Sequence, residues 1–289
     1  MSAFRLPVPE GGKFMIQEIP SMNIVVASHK QYVMPKDQLY FPLHVGAEGK
    51  MSTDGKPLDL GYQKDNTGDN ISAKNPGYCE LTGLYWAWKN LTAEYIGLVH
   101  YRRYFGRKKN NDLDASVLHE DDLIPYLPEV KIFVPKKRKY YIETLYSHYA
   151  HTHYPAQLDE TRKIISEMCP EYLSSFDRVI KHTYGYMFNM CIMRRDWLDQ
   201  YCSWLFPILF ALENRVDTNS LSAFQARFYG RISEIIFNVW LDHQLETGTL
   251  QTSEIKELPS FMVEKVNWWK KGTHFLKAKF FGKKYEGSF

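Results

Sequence analysis

Short apolar runs alternate along the chain with longer stretches in which apolar residues recur at helical spacing. Three runs are apolar at nearly every position, as strands buried on both faces of a parallel sheet require, namely 23–27, 95–99 and 130–134. A further strand is predicted near 184–193. Helical patterns are predicted over 77–90, about 141–168, from Asp196 to about Asn214, and about 218–246. This alternation predicts an α/β fold with a mainly parallel central sheet flanked by helices.

The two ends of the chain differ in character from this alternating region. Residues 1–21 contain proline and glycine without periodicity and are expected to be a leader that is partly disordered. Residues 22–255 hold the predicted elements and form the expected domain. Residues 256–289 form a tail of aromatic residues among lysines. Such a tail suits the surface of an anionic membrane, and a cap over the domain is the alternative.

Composition narrows the functional classes. Of 289 residues, 44% are hydrophobic and 24% charged, which excludes disorder, collagen and coiled coil as the main state. The net charge of +3 is too small for a nucleic-acid coat, so we expect no nucleic-acid partner, and a non-enzymatic nucleic-acid-binding module is a distant alternative. The aromatic content is unusually high at 15%, enough for a core and for stacking on a ligand.

Cysteines and targeting signals indicate the compartment. The four cysteines have no metal-site spacing and are expected to be reduced and buried. The first residues contain no apolar signal-peptide core, and no apolar run reaches the length of a membrane span. We therefore expect a cytoplasmic protein, with peripheral contact to the cytoplasmic face of the plasma membrane.

Basic side chains follow two predicted strands at the point where each strand ends. Arg102 and Arg103 come after the strand at 95–99, and Ser28-His29-Lys30 follows the strand at 23–27. Ligands of open α/β sheets bind at the carboxyl ends of strands, and guanidinium groups hold phosphate through bidentate hydrogen bonds. The sequence therefore predicts an anion site at this edge, although one arginine facing solvent and one paired with an acid would also explain the pattern.

A long polar loop precedes the helix at 77–90. Its residues 65–75 include Asp65, Asp69, Asn70 and Asn75. Such side chains either bind sugar hydroxyls or satisfy the turns of their own backbone, and the pattern leaves both alternatives open.

Two further groups are candidates for chemistry. Arg227, Arg231 and Glu234 share one helix face by their spacing, as part of a site or of a solvent-exposed salt-bridge ladder. His148, His151 and His153 lack partners at zinc-site spacing, so a metal centre is not expected, and one of them could contact an acceptor. The chain has no P-loop, no G-x-G-x-x-G, no G-x-S-x-G and no kinase signature.

Several blocks resemble a bacterial capsule and exopolysaccharide family called DUF4422. They are Ile24–Lys30, Gly68–Ser72, Asn75, Tyr78–Asn90, Gly97–Phe105, Tyr186–Met190 and Trp204–Phe206. The resemblance covers about residues 22–255 and implies a GT-A-like, Rossmann-type glycosyltransferase domain. The implied reaction transfers galactofuranose from UDP-galactofuranose to a growing capsule, exopolysaccharide or O-antigen glycan, with inversion to a β-linkage. The alternative is a hexopyranosyltransferase that uses UDP-galactose or a similar UDP-sugar.

The resemblance also implies roles for individual residues. Donor binding is expected from Ser28, His29, Lys30, Asp65, Asp69, Asn70, Asn75, Glu80, Arg102 and Arg103. Acceptor binding, with a lipid-linked oligosaccharide as acceptor, is expected from His153, Tyr186, Asn189 and Arg227. The first candidate for the catalytic base is Glu234, followed by His100 and then Asp69.

Metal dependence is where the chain departs from ordinary GT-A enzymes. Those enzymes carry a metal-binding Asp-x-Asp where this chain has His100-Tyr-Arg-Arg103, and Asp112-Leu-Asp114 follows later without a strand before it. The resemblance therefore implies that arginines neutralise the departing UDP without a metal, with Mn²⁺ or Mg²⁺ as the alternative.

Overall fold

The computed structural model describes residues 19–107 and 112–263. The strands are β1 (Met22–Ser28), β2 (Tyr40–His44), β3 (Gln63–Lys64), β4 (Tyr95–His100), β5 (Arg103–Phe105), β6 (Ile132–Pro135), β7 (Arg138–Lys139), β8 (Tyr184–Gly185), β9 (Cys191–Arg194), β10 (Ile255–Leu258) and β11 (Ser260–Met262). The helices are α1 (Asn75–Tyr78), α2 (Leu81–Asn90), α3 (Glu120–Leu123), α4 (Leu145–Thr152), α5 (Pro155–Met168), α6 (Leu173–Val179), α7 (Arg195–Glu213) and α8 (Phe228–Glu246).

Nine of the described strands form one sheet, whose main path has the order β10-β6-β9-β4-β1-β2-β3. Along this path β9 runs antiparallel to β4 and β6, and the other neighbouring pairs are parallel. Strands β4 and β6 therefore point the same way, and their carboxyl ends lie at the same edge. The predicted α/β fold with a largely parallel, helix-flanked sheet is confirmed.

Both faces of the sheet are buried, which explains the uninterrupted apolar runs. On β1, Val25 and Ala27 pack into the core under α2, α7 and α8, while Ile24 and Val26 pack into a second core on the opposite face. Successive strand side chains point to opposite faces, so a strand covered on both sides must be apolar at each position.

Three predicted elements are interrupted in the structure. The helix predicted over 141–168 is two helices, because Pro155 starts α5 and cannot donate a hydrogen bond to a continuing α4. The helix predicted over 77–90 breaks at Cys79, whose φ is 54°. The strand predicted near 184–193 is split by a loop into β8 and β9. Helix α8 begins at Phe228 rather than near 218, after a 3₁₀ turn over residues 225–227.

The described start of the predicted tail belongs to the sheet. Strand β10 pairs with β6, and β11 pairs with β5 in a register that sets Met262 beside Arg103. Residues 256–262 of the predicted tail therefore pair into the same sheet as strands of the predicted domain. Residues 1–18 of the predicted leader and 264–289 of the predicted tail lie outside the described residues. Within the described ranges, no helix is both long and apolar enough to cross a membrane.

Candidate active site

A cavity of about 270 Å³ opens at the carboxyl ends of β4 and β6. Its walls come from the residues that follow these two strands, from the Cys79–Glu80 break between α1 and α2, from α4, from the loop before β9, and from the first turns of α8. This is the edge of an α/β sheet at which ligands bind.

Five arginines line this cavity, namely Arg102, Arg103, Arg138, Arg227 and Arg231. The lining carboxylates are Glu80 and Glu234. The cavity wall therefore carries an excess of positive charge, which would be costly around an enclosed space unless an anion binds there.

Arg102 and Arg103 are positioned by the strands that end at the cavity. Arg103 starts β5 and pairs with His100 of β4 on one side and with Met262 of β11 on the other. Its guanidinium carbon lies 3.7 Å from the centre of the Phe188 ring, a cation–π contact that holds the side chain in place. Burial lowers the pKa of Arg103 to about 10, so the group stays charged at neutral pH.

Arg138 is a cavity residue that the sequence analysis did not select. It lies on β7, three residues after β6 ends, and its guanidinium carbon is 4.8 Å from the centre of the Tyr140 ring. The sequence feature that could have identified Arg138 is the basic run Lys136–Lys139 directly after a buried strand. The same pattern led to the prediction of Arg102 and Arg103. Cys79, Tyr140 and Phe188 also line the cavity and were not predicted as site residues. His148 lines it too, and the sequence had indicated it only as one of three histidines of which one could contact an acceptor.

Helix α8 contributes an arginine and a glutamate, Arg231 and Glu234, to the cavity wall. Arg231 donates a hydrogen bond to Glu234 at 3.1 Å, and the Glu234 side chain is only 5% exposed. Burial raises the pKa of Glu234 above its usual value, although Arg231 opposes the shift. The predicted salt bridge on this helix face exists, but it borders a cavity rather than open solvent.

The other lining carboxylate, Glu80, is held by the loop before β9. Asn189 Nδ2 donates to Glu80 Oε1 at 2.7 Å and to the Gly230 carbonyl at 3.0 Å. Ser233 Oγ in turn donates to Asn189 Oδ1 at 2.7 Å. Asn189 is not in the cavity lining, so the contacts make it a positioning residue for Glu80.

Backbone strain is concentrated around the cavity. In the described part of the chain, four residues other than glycine have positive φ, and three of them lie here: Cys79 at 54°, Phe188 at 79° and Asn189 at 52°. Such conformations cost about 1–3 kcal/mol each and persist where the surrounding structure enforces them, commonly at functional sites. At Cys79 the thiol accepts a hydrogen bond from Arg227 Nε at 3.0 Å.

Helix α4 and the residue that follows it form another part of the cavity wall. His148 and His153 line the cavity there, and His153 stacks on Phe224 with ring centres 5.4 Å apart. The buried Glu143 accepts from His148 Nδ1 at 2.8 Å and from His151 Nδ1 at 2.6 Å. Burial favours a raised pKa for Glu143, but these hydrogen bonds lower it overall.

The two candidates for a catalytic base differ in basicity. Burial, reinforced by the charge of Arg102, lowers the pKa of His100 to about 3, so His100 is neutral and a weak base. Glu234 has a raised pKa and is the stronger base once it is ionised. Both line the cavity, and the pKa directions favour Glu234.

The structure brings together some of the predicted site residues. Those that line the cavity are Glu80, Arg102, Arg103, His153, Arg227, Glu234 and His100. Ser28, His29 and Lys30 lie at the end of β1 outside the lining, where the His29 ring contacts the Tyr101 ring edge-on at 5.3 Å. Tyr186 also lies outside it and donates to Glu257 Oε1 at 3.0 Å.

The polar side chains Asp65, Asn70 and Asn75 of the loop at 65–75 form hydrogen bonds to other groups of the protein. Asp65 is fully buried and accepts hydrogen bonds from Gly46 N at 2.8 Å, Ala47 N at 3.0 Å, Thr82 Oγ1 at 2.7 Å and the Ser72 hydroxyl. Asn70 bonds within its own turn, and Asn75 Nδ2 donates to the Cys79 carbonyl at 2.7 Å.

Asp69, on the surface of this loop, accepts from the Tyr85 hydroxyl at 3.1 Å. Asp65, Asp69, Asn70 and Asn75 do not line the cavity, and the contacts of Asp65, Asn70 and Asn75 are those of loop-holding residues.

The residues at the strand ends do not fit a divalent metal of the GT-A type. Mn²⁺ and Mg²⁺ take oxygen ligands, whereas the end of β4 offers His100, Arg102 and Arg103. Asp114 instead accepts from Lys36 N at 2.7 Å, and Asp112 accepts from Asp114 N at 3.1 Å. Over residues 19–107 and 112–263, no cluster of three or more His, Cys, Asp or Glu side chains could hold a metal ion.

Comparison with known proteins gives a family and one structural relative. Residues 23–245 match the family described as a domain of unknown function, DUF4422. No curated protein sequence matches the chain. Among solved structures, the chain resembles the apo structure of the WbbM bifunctional glycosyltransferase, at 31% identity and a TM-score of 0.72.

That match covers 85% of this chain and 46% of the WbbM chain, so this chain spans about half the length of that protein. The predicted GT-A-like fold is thereby confirmed, since the relative with the same fold is a glycosyltransferase. The family match extends over well more than half of the sequence. The chain belongs to the DUF4422 family.

Proposed function

We propose that the protein is a glycosyltransferase that moves a sugar from a nucleoside-diphosphate donor onto a growing polysaccharide. The observation that carries the proposal is the cavity lined by five arginines, in a chain 31% identical to a glycosyltransferase. A nucleoside-diphosphate sugar supplies the anion that such a wall needs, and its sugar supplies hydroxyls for the remaining polar groups.

The arginines neutralise the departing diphosphate. As the bond between the sugar's anomeric carbon and the diphosphate breaks, negative charge develops on the leaving oxygen. Guanidinium groups bind such oxygens by paired, charge-assisted hydrogen bonds. Arg102 lies in the turn after β4, Arg103 starts β5, and Arg231 lies in the first turn of α8. This arrangement supports transfer without a divalent metal.

Glu234 is the proposed general base. The acceptor hydroxyl attacks the anomeric carbon from the face opposite the diphosphate, its proton passes to the Glu234 carboxylate, and the electron pair of the broken bond leaves with the diphosphate. The configuration is inverted, so an α-linked donor gives a β-linked product. Burial and the raised pKa of Glu234 support this role.

The specific donor we propose is UDP-galactofuranose, and the acceptor is a lipid-linked oligosaccharide at the cytoplasmic face of the plasma membrane. Support comes from the blocks Tyr78–Asn90 and Gly97–Phe105, which resemble the capsule-synthesis family and contribute Glu80, His100, Arg102 and Arg103 to the cavity. His153 and Arg227 also line the cavity and are proposed to bind the acceptor.

The test is incubation of the full chain with lipid-linked acceptors and either UDP-galactofuranose, generated in place by a mutase, or UDP-galactopyranose alone. We expect mass-spectrometric detection of one added hexose only with the furanose donor, and unchanged turnover in EDTA. Exclusive use of the pyranose would favour the hexopyranosyltransferase alternative. Absence of transfer from any UDP-sugar would refute the proposed function, and loss of turnover in EDTA with recovery in Mn²⁺ would refute the metal-free mechanism.

A further inference from the structure

An exposed basic and apolar segment lies on the rim of the cavity. It connects β6 to α4, and we define the rim patch as Lys136, Lys137, Lys139, Tyr141 and Ile142. All five of these residues are exposed, whereas Arg138 and Tyr140 between them line the cavity. One side of this segment therefore belongs to the cavity and the other faces outward.

The apolar tip of the rim patch is displayed rather than buried. The Tyr141 and Ile142 side chains are 82% and 74% exposed. Their backbone is nevertheless fixed, because Tyr140 N donates to the Thr183 carbonyl at 2.7 Å and Ile142 N donates to the Tyr140 carbonyl at 2.7 Å. Tyr141 adopts a φ of 61°, a conformation that costs free energy for a residue with a bulky side chain. The turn thus holds two large apolar side chains in water at an energetic cost.

The charged side chains of residues 136–142 have one sign. Residues 136–142 contain no Asp or Glu, and the acid that follows, Glu143, is buried and bound by two histidines. The ammonium group of Lys137 lies 5.1 Å from the centre of the exposed Tyr184 ring. Aromatic and aliphatic tips ringed by lysines match the interface of an anionic bilayer, where the apolar groups enter between headgroups and the ammonium groups approach lipid phosphates.

We propose that the rim patch binds the surface of an anionic lipid bilayer. Tyr141 and Ile142 enter the interface, and the three lysines contact lipid phosphates. Because Arg138 and Tyr140 of the same segment line the cavity, this contact sets the cavity mouth against the membrane. That last consequence rests on the proposed function, since it is useful only for an acceptor carried on a lipid. The binding of lipid itself does not depend on it.

The test is co-sedimentation of the full chain with vesicles of phosphatidylcholine alone or mixed with phosphatidylglycerol. The first variant carries Lys136→Gln, Lys137→Gln and Lys139→Gln, and the second carries Tyr141→Ser and Ile142→Ser. Matched controls are Lys36→Gln, Lys50→Gln and Lys56→Gln in one variant, and Val33→Ser with Met51→Ser in the other. These control residues are also exposed but lie elsewhere on the surface.

We expect the wild type to bind the anionic vesicles and to be released by high salt. The lysine variant should bind about a hundredfold more weakly, as three interfacial cations predict, and the Tyr141/Ile142 variant about tenfold more weakly. Both controls should bind like the wild type. Unchanged binding by both rim variants would overturn the proposal, as would a rim variant that only converts a dimer to a monomer.

Transfer to a short water-soluble acceptor separates this inference from the proposed function. Rim variants that lose vesicle binding but keep this transfer support the rim patch as a membrane contact. A wild-type chain that binds vesicles but transfers no sugar would leave the membrane inference standing and refute the proposed function. Rim variants that lose soluble transfer and keep vesicle binding would overturn the membrane inference.

Discussion

Two polar regions of this molecule look alike in the sequence and differ in the structure. The loop at 65–75 and the segment His100–Arg103 both place polar side chains near the sheet, and both were predicted to bind the donor. In the loop, the Asp65 carboxylate accepts four hydrogen bonds from the protein itself. At the strand ends, the guanidinium groups of Arg102 and Arg103 border a cavity of about 270 Å³.

The difference lies in what the polar groups face. A buried carboxylate that has accepted several protein hydrogen bonds has little capacity left for a ligand, and its loss damages the fold. An arginine held against an aromatic ring beside a cavity can direct its N–H groups to a bound anion. Mutations should therefore separate the two regions, with effects on stability in the loop and on catalysis at the cavity.

The largest effect on catalysis is expected for Glu234→Gln. The amide cannot accept the acceptor's proton, so kcat should fall by about 10²–10⁴-fold while the fold is retained. In the wild type, kcat/KM should rise with pH as Glu234 ionises, with a midpoint above the usual glutamate pKa because burial raises it. The rise of kcat/KM with pH should be absent in Glu234→Gln.

Initial rates between pH 4 and 9 check this prediction. The matched control is Glu167→Gln, a surface residue paired with Arg215. If Glu234→Gln keeps wild-type kcat and the same pH profile, another group is the base.

Arg103→Ala should have the next largest effect. Removing one partner of a buried charged contact typically costs about 2–5 kcal/mol. Here we expect this loss in the free energy of transition-state stabilisation, which is calculated from kcat/KM for the donor. Arg103→Lys should recover only part of this loss, because an ammonium group cannot form the bidentate contact.

Steady-state kinetics measure both Arg103 variants, with Arg162→Ala as control because Arg162 pairs with Asp177 on the surface. Full activity in Arg103→Ala would remove Arg103 from the donor site.

Asp65→Ala should act on stability instead. Four hydrogen-bonding groups lose their acceptor, so the free energy of unfolding in urea should fall by about 2–4 kcal/mol. The kcat of the molecules that remain folded should be close to wild type. Asp65→Asn, which keeps part of the acceptor capacity, should lose less stability. Wild-type stability combined with loss of donor binding would instead make Asp65 a ligand.

The smallest effect is expected for Asp69→Ala. Asp69 lies outside the cavity lining, and its side chain accepts one hydrogen bond, from Tyr85, among those observed. Surface changes of this kind alter the free energy of unfolding by about 0.5 kcal/mol or less, and we expect kcat/KM to change less than about twofold. A hundredfold fall in activity would return Asp69 to the candidate bases and weaken the distinction between the two regions.

The fold was largely predictable because burial on both sheet faces leaves a direct mark on the sequence. The apolar runs at 23–27 and 95–99 are the central strands β1 and β4. The interruptions of the helix predicted over 77–90 and of the strand predicted near 184–193 were harder to predict. The residues with positive φ at these interruptions, Cys79, Phe188 and Asn189, are held by contacts distant in sequence. The same holds for β11, a three-residue strand whose place beside Arg103 is set by pairing with β5.

The site was predictable only in part, since spacing does not reveal which polar groups are already satisfied. Arg102 and Arg103 were found from their place after a buried strand, and Arg138 follows the same rule after β6. Asp65 is an aspartate, a residue type that often binds ligands. Its hydrogen-bond donors, however, lie 7 to 19 residues away in the chain. The hydrogen bonds that satisfy it become visible only once the loop is folded.

The proposed function requires that the arginine-lined cavity binds the diphosphate of the donor. Calorimetric titration of UDP into the wild-type chain in EDTA tests it most directly, with Arg103→Ala and Asp69→Ala measured alongside. We expect that the wild type binds UDP without metal, that Arg103→Ala weakens binding at least tenfold, and that Asp69→Ala leaves binding unchanged. Equal UDP affinity in the wild type and Arg103→Ala, or no binding by the wild type until a divalent metal is added, would contradict it.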